Sequence, residues 1–328
     1  MMIFQEQEIR QVVSMDQDLI QVIEDAFTSL VTKRVVMPPI MRIDIPESNG
    51  EVDIKSAYIP GIDQFAIKVS SGFFDNSQKG LPSLSGMMLL VSTETGIPRA
   101  VLLDNGYLTD LRTAAAGAVA AKYLARENLN TVGVIGAGTQ ARYQMTALKK
   151  VRNFHRIKVY GPTKSRVERY AREMEEKLEV SVSIASCPEE VVKESDLVVT
   201  TTPSRTPVIQ ADWLHPGLHV TAMGSDAGHK QELEAQVLKR ADLLVCDVKS
   251  QCFRLGELHH GLKQDVLSKE SDLAELGEIT SGKKKGRTGD QEITVCDLTG
   301  TGVQDTAIAL YACQKLLEKG YGLRLDSK

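Results

Sequence analysis

The feature that most constrains the fold is a glycine turn lying far inside the chain. The segment "VIGAGTQA" places Gly136, Gly138 and Ala141 in the spacing GxGxxA. An apolar run precedes the turn and a helical pattern follows it, which is the strand–turn–helix setting that such a motif requires. Because the helix start offers unpaired N–H groups to an anion, the turn is typical of dinucleotide binding.

The region around this turn alternates apolar runs with polar helical segments. The runs read as strands: "TVGVIG", "RIKVYG", "DLVVTTT", "HVTAMGS", "DLLVCD" and "ITVCDLTG". This alternation predicts a Rossmann-type, doubly wound parallel sheet over residues 121–301. We expect the glycine- and lysine-rich residues 281–290 to form a mobile surface loop. The residues expected to contact the nucleotide here are Gly136, Gly138, Thr139, Gln140 and Thr202.

The chain before residue 121 has a different pattern. A broad apolar stripe predicts one helix over residues 6–33, and period-two alternation predicts a largely antiparallel sheet over residues 40–103. An alanine-rich helix follows at residues 109–125, with Thr109 or Asp110 as its cap. This part therefore reads as an α+β domain, and we expect a final helix at residues 302–319 to pack on it.

Composition narrows the classes of partner. The 328 residues are 25% charged with a net charge of −4, and no basic block suggests a nucleic-acid partner. No apolar run approaches the roughly 18 residues of a membrane span, and the N-terminus is unlike a secretory leader. The five cysteines are never spaced CxxC, and the six histidines give no HxxxH or HExxH. We therefore expect a cytoplasmic protein with reduced thiols, no membrane contact and no metal site.

The end of the second predicted strand bears on the choice between NAD and NADP. An acidic residue there would hold a ribose 2′-hydroxyl, but the strand "IKVYG" ends in Gly161 without an acid. Thr163, Lys164 and Arg166 follow, and hydroxyls and cations suit a 2′-phosphate. The pattern favours NADP, although the two cations could equally be solvated residues of the next helix.

Three side chains are candidates for holding a substrate near the nicotinamide. Arg112 is expected in the first turn of the alanine-rich helix, where it could bind a carboxylate or pair with a nearby acid, Asp104 or Asp110. Lys68 interrupts an apolar strand, so it lies either at a wet surface or in a cleft. Asp226 follows the strand "HVTAMG", where it could reach the nicotinamide or cap a helix starting near residue 231.

Several long motifs together resemble one known family. They are "VSSGFFDN", "GLPSLSGMMLLVSTETGIPRAVLLD", "LTDLRTAAAGAVAAKYLA", "VGVIGAGTQA", "MGSDAGHKQEL" and "GRTGDQEITVCDLTGTGVQD". In this order and at this length they resemble the ornithine cyclodeaminase/μ-crystallin family over nearly the whole chain. The resemblance implies a homodimer in which residues 1–120 and 302–328 form a substrate-binding and dimerisation domain. The nucleotide domain, residues 121–301, is then inserted into it.

The resemblance also implies roles for single residues. The substrate carboxylate would be held by Arg42, Lys68 and Arg112, and Asp226 would be the catalytic acid, with Lys68 counted in the catalytic set. Glu51 would hold the substrate amino group, or Asp53 would do so in its place.

The reaction implied is hydride transfer between NAD(P) and the Cα of a small L-α-amino acid or its imine. A cyclodeaminase would add ammonia loss and ring closure, whereas an imine reductase or amino-acid dehydrogenase would stop after transfer in one direction. A non-catalytic, crystallin-like nucleotide-binding protein is a further alternative. The stretches "DNGYLTDLRTAAAG" and "GSDAGHKQE" depart from the ornithine type and are similar to cyclodeaminases of ectoine utilisation and iminosuccinate-type reductases.

Overall fold

A computed structural model describes residues 1–325, apart from the side chain of Ser77. The chain forms two compact units. Unit 1 joins Met1–Arg112 to the C-terminal segment that begins at Thr301, and unit 2 is Thr113–Gly300. The division falls between residues 112 and 113, whereas the sequence placed it between residues 120 and 121.

Regular structure in the described residues consists mainly of short strands and of helices of five to eighteen residues. The strands are β1 (Met2–Gln5), β2 (Met41–Ile45), β3 (Gly50–Ala57), β4 (Gln64–Phe73), β5 (Leu84–Ser92), β6 (Pro98–Leu103), β7 (Thr131–Ile135), β8 (Arg156–Tyr160), β9 (Ser181–Ile184), β10 (Leu197–Thr200), β11 (His219–Ala222), β12 (Leu243–Cys246), β13 (Ala274–Glu275), β14 (Thr294–Asp297) and β15 (Leu323–Arg324). The helices are α1 (Glu6–Val12), α2 (Gln17–Thr32), α3 (Tyr107–Leu124), α4 (Thr139–Val151), α5 (Lys164–Leu178), α6 (Pro188–Lys193), α7 (Ala235–Arg240), α8 (Lys249–Leu255), α9 (Glu257–Lys263), α10 (Leu276–Thr280) and α11 (Gly302–Glu318).

Unit 1 is built on a seven-stranded mixed sheet in the order β15-β1-β6-β5-β4-β3-β2. Only the β1–β6 pair is parallel among its ladders. Helix α11 packs on β3 and β4, where the hydroxyl of Thr306 donates to the carbonyl of Ala57 and accepts from the N–H of Ala66. The last helix thus completes the fold of the N-terminal sheet.

The N-terminal helix predicted for residues 6–33 is two helices. The chain leaves α1 at Val13, whose backbone is extended, and re-enters a helix at Gln17. The carboxylate of Asp16 caps the second helix by accepting the N–H of Leu19 at 2.8 Å. The apolar stripe continues across the break, so hydrophobic periodicity alone could not reveal it, whereas the capping aspartate could have.

The alanine-rich helix begins earlier than predicted. Asn105 and Gly106 both have positive φ, and this turn starts α3 at Tyr107. The carboxylate of Asp104 accepts the N–H of Leu108 at 2.8 Å, so neither Thr109 nor Asp110 begins the helix. Arg112 consequently lies in the second turn of α3, and the expectation that it lies in the first turn is wrong.

Unit 2 contains an eight-stranded sheet in the order β13-β12-β14-β11-β10-β7-β8-β9, and each pair of neighbours is parallel. Two apolar clusters, centred on Val199 and on Val198, cover its opposite faces. The predicted doubly wound α/β architecture is therefore confirmed. The strand order reverses between β7 and β10, which is where such folds bind ligands.

Two further expectations concern the surface of unit 2 and the cysteines. Arg287, inside the predicted mobile loop, donates to the carbonyls of Leu124, Leu218 and Glu292, so this segment is anchored. All five cysteines are free; four are buried and Cys187 is half-buried. In residues 1–325 no helix combines the length and apolarity needed to cross a membrane.

Candidate functional site

The glycine turn has the geometry that a dinucleotide phosphate requires. Gly136 has a φ of +115°, and a Cβ built there would lie 2.5 Å from the hydroxyl of Thr201, so no other residue fits without displacement. A Cβ at Gly138 would meet no atom within 4 Å. The N-cap residue of α4 is Gly138, which makes no side-chain cap hydrogen bond, and α4 begins at Thr139 directly after it. A helix start of this kind is a favourable place for an anion.

The turn lies at the point where the strand order reverses, which is where open α/β sheets form a ligand crevice. Gly136 follows β7, and Thr201 and Thr202 follow the neighbouring strand β10. The buried carboxylate of Glu232 accepts the N–H of Thr202 at 2.6 Å, which fixes the start of this second loop. The residues expected to contact a nucleotide after β7 and β10 are thus brought together in unit 2.

The expected 2′-phosphate contacts lie after β8. Thr163 is the N-cap residue of α5, and Lys164 and Arg166 belong to its first turn. The side chain of Lys164 is 90% exposed, and its Nζ lies 3.9 Å from a carboxylate oxygen of Glu168. A solvated helix start and a phosphate contact both fit this arrangement, so the role of the two cations stays a prediction.

Asp226 lies in the loop after β11, one strand beyond β10 in the sheet. Its Oδ1 accepts a hydrogen bond from Nζ of Lys230 at 2.7 Å, and its side chain is 39% exposed. The next helix, α7, begins at Ala235 with Glu234 as its N-cap residue. The expectation of a helix near residue 231 is wrong, and Asp226 does not act as a helix cap.

In unit 1, Lys68 belongs to a buried polar cluster on the inner face of the sheet. Only 1% of its side chain is exposed, and its Nζ donates to Oδ1 of Asp305 at 3.0 Å. The pKa of Lys68 is lowered to about 7, mainly by burial and then by the charges of Arg112 and Lys55, while Asp305 opposes the shift. The face of β4 that carries Ala66 and Lys68 is buried, because α11 covers it.

Arg112 reaches the same carboxylate oxygen. Its Nε lies 3.0 Å from Oδ1 of Asp305, although the N–H does not point at that oxygen well enough for a hydrogen bond. Arg112 is 6% exposed. Its ion-pair partner Asp305 is therefore on α11, a helix that the sequence did not connect with Arg112.

Arg42 lies among acidic residues at the edge of the same sheet. It pairs directly with Glu51, lies 2.9 Å from Asp44 through Nε, and lies 3.6 Å from Asp53 through Nη1. In the sheet, Arg42 of β2 lies opposite Asp53 of β3, and Asp53 in turn lies opposite Ser70 of β4. Since Ser70 and Lys68 share one face of β4, the expected substrate residues on β2 to β4 lie on a single face of the sheet.

Sequence reasoning missed two residues of these clusters, Asp305 in the first turn of α11 and Lys55, which is buried on β3. Asp104, which the sequence offered only as a partner of Arg112, is buried in unit 1 as well. Burial raises the pKa of Asp104 to about 6, against hydrogen bonds from backbone N–H groups and the charge of Lys68. The only sequence signal was the lysine at position 55, two residues from Asp53 in a strand whose alternate side chains turn inward.

Neither unit has an arrangement suited to a metal ion in its described residues. No group of three or more histidine, cysteine, aspartate or glutamate side chains in residues 1–325 could hold one. The buried acids of unit 2 instead accept backbone N–H groups, as Asp247 does from Thr299 and Gly300. These acids are therefore structural acceptors in the described part of the chain.

Comparison with known proteins shows which family the chain belongs to. An uncharacterized cyclodeaminase of Sinorhizobium fredii is 48% identical, covering 100% of this chain and 99% of its own. A solved structure of Thermococcus litoralis Δ1-pyrroline-2-carboxylate reductase in complex with NADH and L-proline has a TM-score of 0.94 at 31% identity, covering 99% of this chain and 100% of that one.

A second structure, an archaeal alanine dehydrogenase dimer with bound NAD, has a TM-score of 0.92 at 35% identity and covers 99% of this chain and 98% of its own. The family model "Ornithine cyclodeaminase/mu-crystallin family" matches residues 1–320. The chain therefore belongs to the ornithine cyclodeaminase/μ-crystallin family.

Proposed function

We propose that this protein is an NAD(P)-dependent enzyme that transfers a hydride at the Cα of a small L-α-amino acid or its imine. The observation that carries the proposal is the pair of buried cations, Lys68 and Arg112, that meet at one oxygen of Asp305. Buried cations in such a cluster suit an anionic ligand, and a carboxylate is the anion that all amino and imino acids share.

The bound nicotinamide would supply the hydride donor or acceptor. The turn at Gly136 and Gly138, with the uncapped start of α4, would hold the pyrophosphate, and Thr202 would contact the nucleotide from the next loop. The lack of an acid at Gly161, with Thr163, Lys164 and Arg166 after it, favours NADP in this proposal.

The side chains of unit 1 would hold and orient the substrate carboxylate. Arg112 approaches Asp305 through Nε, which leaves its two Nη groups in the parallel arrangement that a bidentate carboxylate requires. Lys68 and Arg42 would add positive charge on the same side of the sheet, and Glu51 would accept from the substrate amino group. Asp305 would keep both buried cations in place when no substrate is bound.

Asp226 would carry the proton chemistry. Oxidation at Cα needs a neutral substrate nitrogen whose lone pair can form the imine, so a base must take the ammonium proton first. The carboxylate of Asp226 is partly exposed and is not used as a helix cap. In the reverse direction the same group would return the proton to the new amine.

The name of the Sinorhizobium relative favours a cyclodeaminase, whereas the two similar structures favour a reductase or dehydrogenase. Absorbance at 340 nm with L-amino acids and NAD or NADP separates the three. Net formation of the reduced nucleotide indicates a dehydrogenase, and ammonia release without it indicates a cyclodeaminase. Consumption of the reduced nucleotide only with cyclic imines indicates a reductase, and no turnover with any of them would contradict the proposal.

The carboxylate assignment has its own test. Arg112→Lys keeps the charge but removes the planar donor pair, so KM should increase by about tenfold or more, the worth of roughly 1.4 kcal/mol. An unchanged KM in a variant with a wild-type melting temperature would contradict the assignment. Arg99→Lys, at an exposed position of β6, is a matched control and should leave KM unchanged.

We also propose a homodimer formed through the outer face of the unit 1 sheet. This face, opposite Lys68, exposes Met41, Ile43, Met87 and Leu103 by 41–53% of their surface. Clustered apolar side chains on one sheet face are unusual on a monomer. Ile43→Asp should convert a dimer into a monomer in size-exclusion chromatography with light scattering, and a monomeric wild-type protein would overturn this proposal.

A further inference from the structure

Glu232 lies fully buried beneath the ends of two neighbouring strands of unit 2. Its Oε2 accepts the hydroxyl of Thr200 at 2.6 Å and the N–H of Gly224 at 2.7 Å. Its Oε1 accepts the N–H of Thr202 at 2.6 Å. One carboxylate therefore ties the loop after β10 to the loop after β11, the two loops that carry Thr202 and Asp226.

The two loops approach each other closely at this point. A Cβ built on Gly224 would lie 2.1 Å from the carbonyl oxygen of Thr202 and 2.7 Å from Oε2 of Glu232. Only a glycine can therefore occupy position 224 in this arrangement. The contact transmits any movement of one loop to the other, because no space separates their backbones.

The donors around Glu232 require an acceptor on both of its oxygens. Burial raises the pKa of Glu232, and hydrogen bonds from Thr200, Thr202 and Gly224 oppose the rise. A glutamine has the same size but carries an NH2 group on one side, which would face a backbone N–H instead of accepting from it. Leaving a buried N–H without an acceptor is costly, so one of the two loops would move.

We infer that Glu232 is a positioning residue that fixes the Thr202 loop and the Asp226 loop relative to each other, and so sets both nucleotide affinity and the placement of the acid. The inference rests on the proposed function, because the roles of Thr202 and Asp226 belong to it. Glu232 itself acts through these loops and contacts neither ligand in this scheme. Its own backbone N–H donates to Oε1 of Glu257 at 2.8 Å, which holds Glu232 from the opposite side.

Asp196, at the amino-terminal end of β10, offers a matched control. Asp196 precedes β10, and its Oδ2 accepts the N–H groups of Asn130 and Thr131 at 2.7 and 3.1 Å. Asp196 thus ties two loops at the amino-terminal edge of the sheet, away from the crevice. Asp196→Asn and Glu232→Gln each remove one acceptor from a carboxylate that holds backbone N–H groups.

The experiment measures Kd for NADH and NADPH by fluorescence titration, the melting temperature, and kcat with its deuterium isotope effect. In Glu232→Gln we expect both Kd values to increase by about tenfold, the equivalent of one lost hydrogen bond of roughly 1.4 kcal/mol, and kcat to decrease. Asp196→Asn should lose a similar amount of thermal stability and keep Kd and kcat within about twofold, well under 1 kcal/mol.

Other results would overturn the inference. Unchanged Kd and kcat in folded Glu232→Gln would show that the carboxylate does not position the loops, and equal losses in Asp196→Asn would show a general effect of lower stability. If Glu232→Gln does not fold, Thr200→Val decides, because it removes one donor and leaves both backbone N–H groups bonded; unchanged Kd there contradicts the inference. A wild-type protein that binds NADH but turns over no amino or imino acid would contradict the proposed function alone, and the Kd ratio would still test Glu232.

Discussion

Nζ of Lys68 lies 3.0 Å from Oδ1 of Asp305, and neither side chain is more than 1% exposed. The two residues are 237 positions apart in the chain, and they join a central strand of unit 1 to its last helix. A buried pair of this kind adds little net stability but is costly to break, because removing one partner leaves the other charge without compensation. Asp305 therefore belongs both to the fold of unit 1 and to its candidate carboxylate site.

Replacing Asp305 by Asn should destabilise the protein strongly. Lys68 and Arg112 would both lose their shared anion, and the expected loss is about 3–5 kcal/mol in the free energy of unfolding. Urea denaturation followed by circular dichroism measures this loss. Asp18→Asn, at an exposed position of α2, is the control and should change stability by less than about 0.5 kcal/mol. A similarly small effect at Asp305 would show that the cluster does not need its anion.

The low pKa of Lys68 predicts a specific dependence of stability on pH. In the folded protein burial sets this pKa at about 7, whereas the ordinary value is 10.5. Below pH 7 both states hold the proton, and above it only the unfolded chain does, so the contribution of Lys68 to stability increases with pH through this window. The free energy of unfolding of wild type minus that of Lys68→Met should increase between pH 6 and 9. A difference that is independent of pH would contradict the shifted pKa.

Replacing Asp226 by Asn should separate catalysis from folding. The amide keeps the shape of the side chain but cannot take a proton, and loss of a general base typically costs about 10²–10⁴-fold in rate. Because Asp226 caps no helix and is 39% exposed, the melting temperature and the Kd for NADH should stay close to wild type. Asp212→Asn, whose side chain is 99% exposed, is the control. A kcat within about threefold of wild type, or ~0.65 kcal/mol in the barrier, would exclude Asp226 as the acid–base group.

Gly161→Asp should shift the nucleotide preference toward NAD. The new carboxylate would accept from a ribose 2′-hydroxyl and repel a 2′-phosphate. The backbone at Gly161 does not need a positive φ, and a Cβ there would lie 3.0 Å from Cγ2 of Val167, so a small movement of that valine makes room. The ratio of the Kd values for NADPH and NADH measures the shift. A wild-type protein that prefers NADH tenfold, about 1.4 kcal/mol, would contradict the expected preference for NADP.

The sequence revealed the parts of the structure that depend on local patterns. The Gly136 turn, the parallel strands around it and the antiparallel strands before residue 105 follow from spacing and periodicity, and the structure confirms the fold class. The pairing of Arg112 with Asp305 could not be predicted in this way, because their proximity depends on how α11 returns to the sheet. Periodicity left open whether Lys68 lies at a wet surface or in a cleft, and α11 decides this by burying that side of β4. The hydrogen bonds of Glu232 could not be predicted for the same reason, because its donors come from the end of β10 and from the loops after β10 and β11.

The position of α11 in the chain has a consequence for how the protein is made. All eight strands of unit 2 lie between Thr131 and Asp297, so a ribosome has supplied the whole of that sheet before it reaches Thr301. Unit 1 must wait, because Lys68 and Arg112 meet their common anion only when Asp305 has been synthesised and has left the exit tunnel. Until then the two cations remain in water, which suits them better than an unpaired place in a core. The first residues of unit 1 are therefore synthesised before unit 2, but unit 1 completes its fold after unit 2.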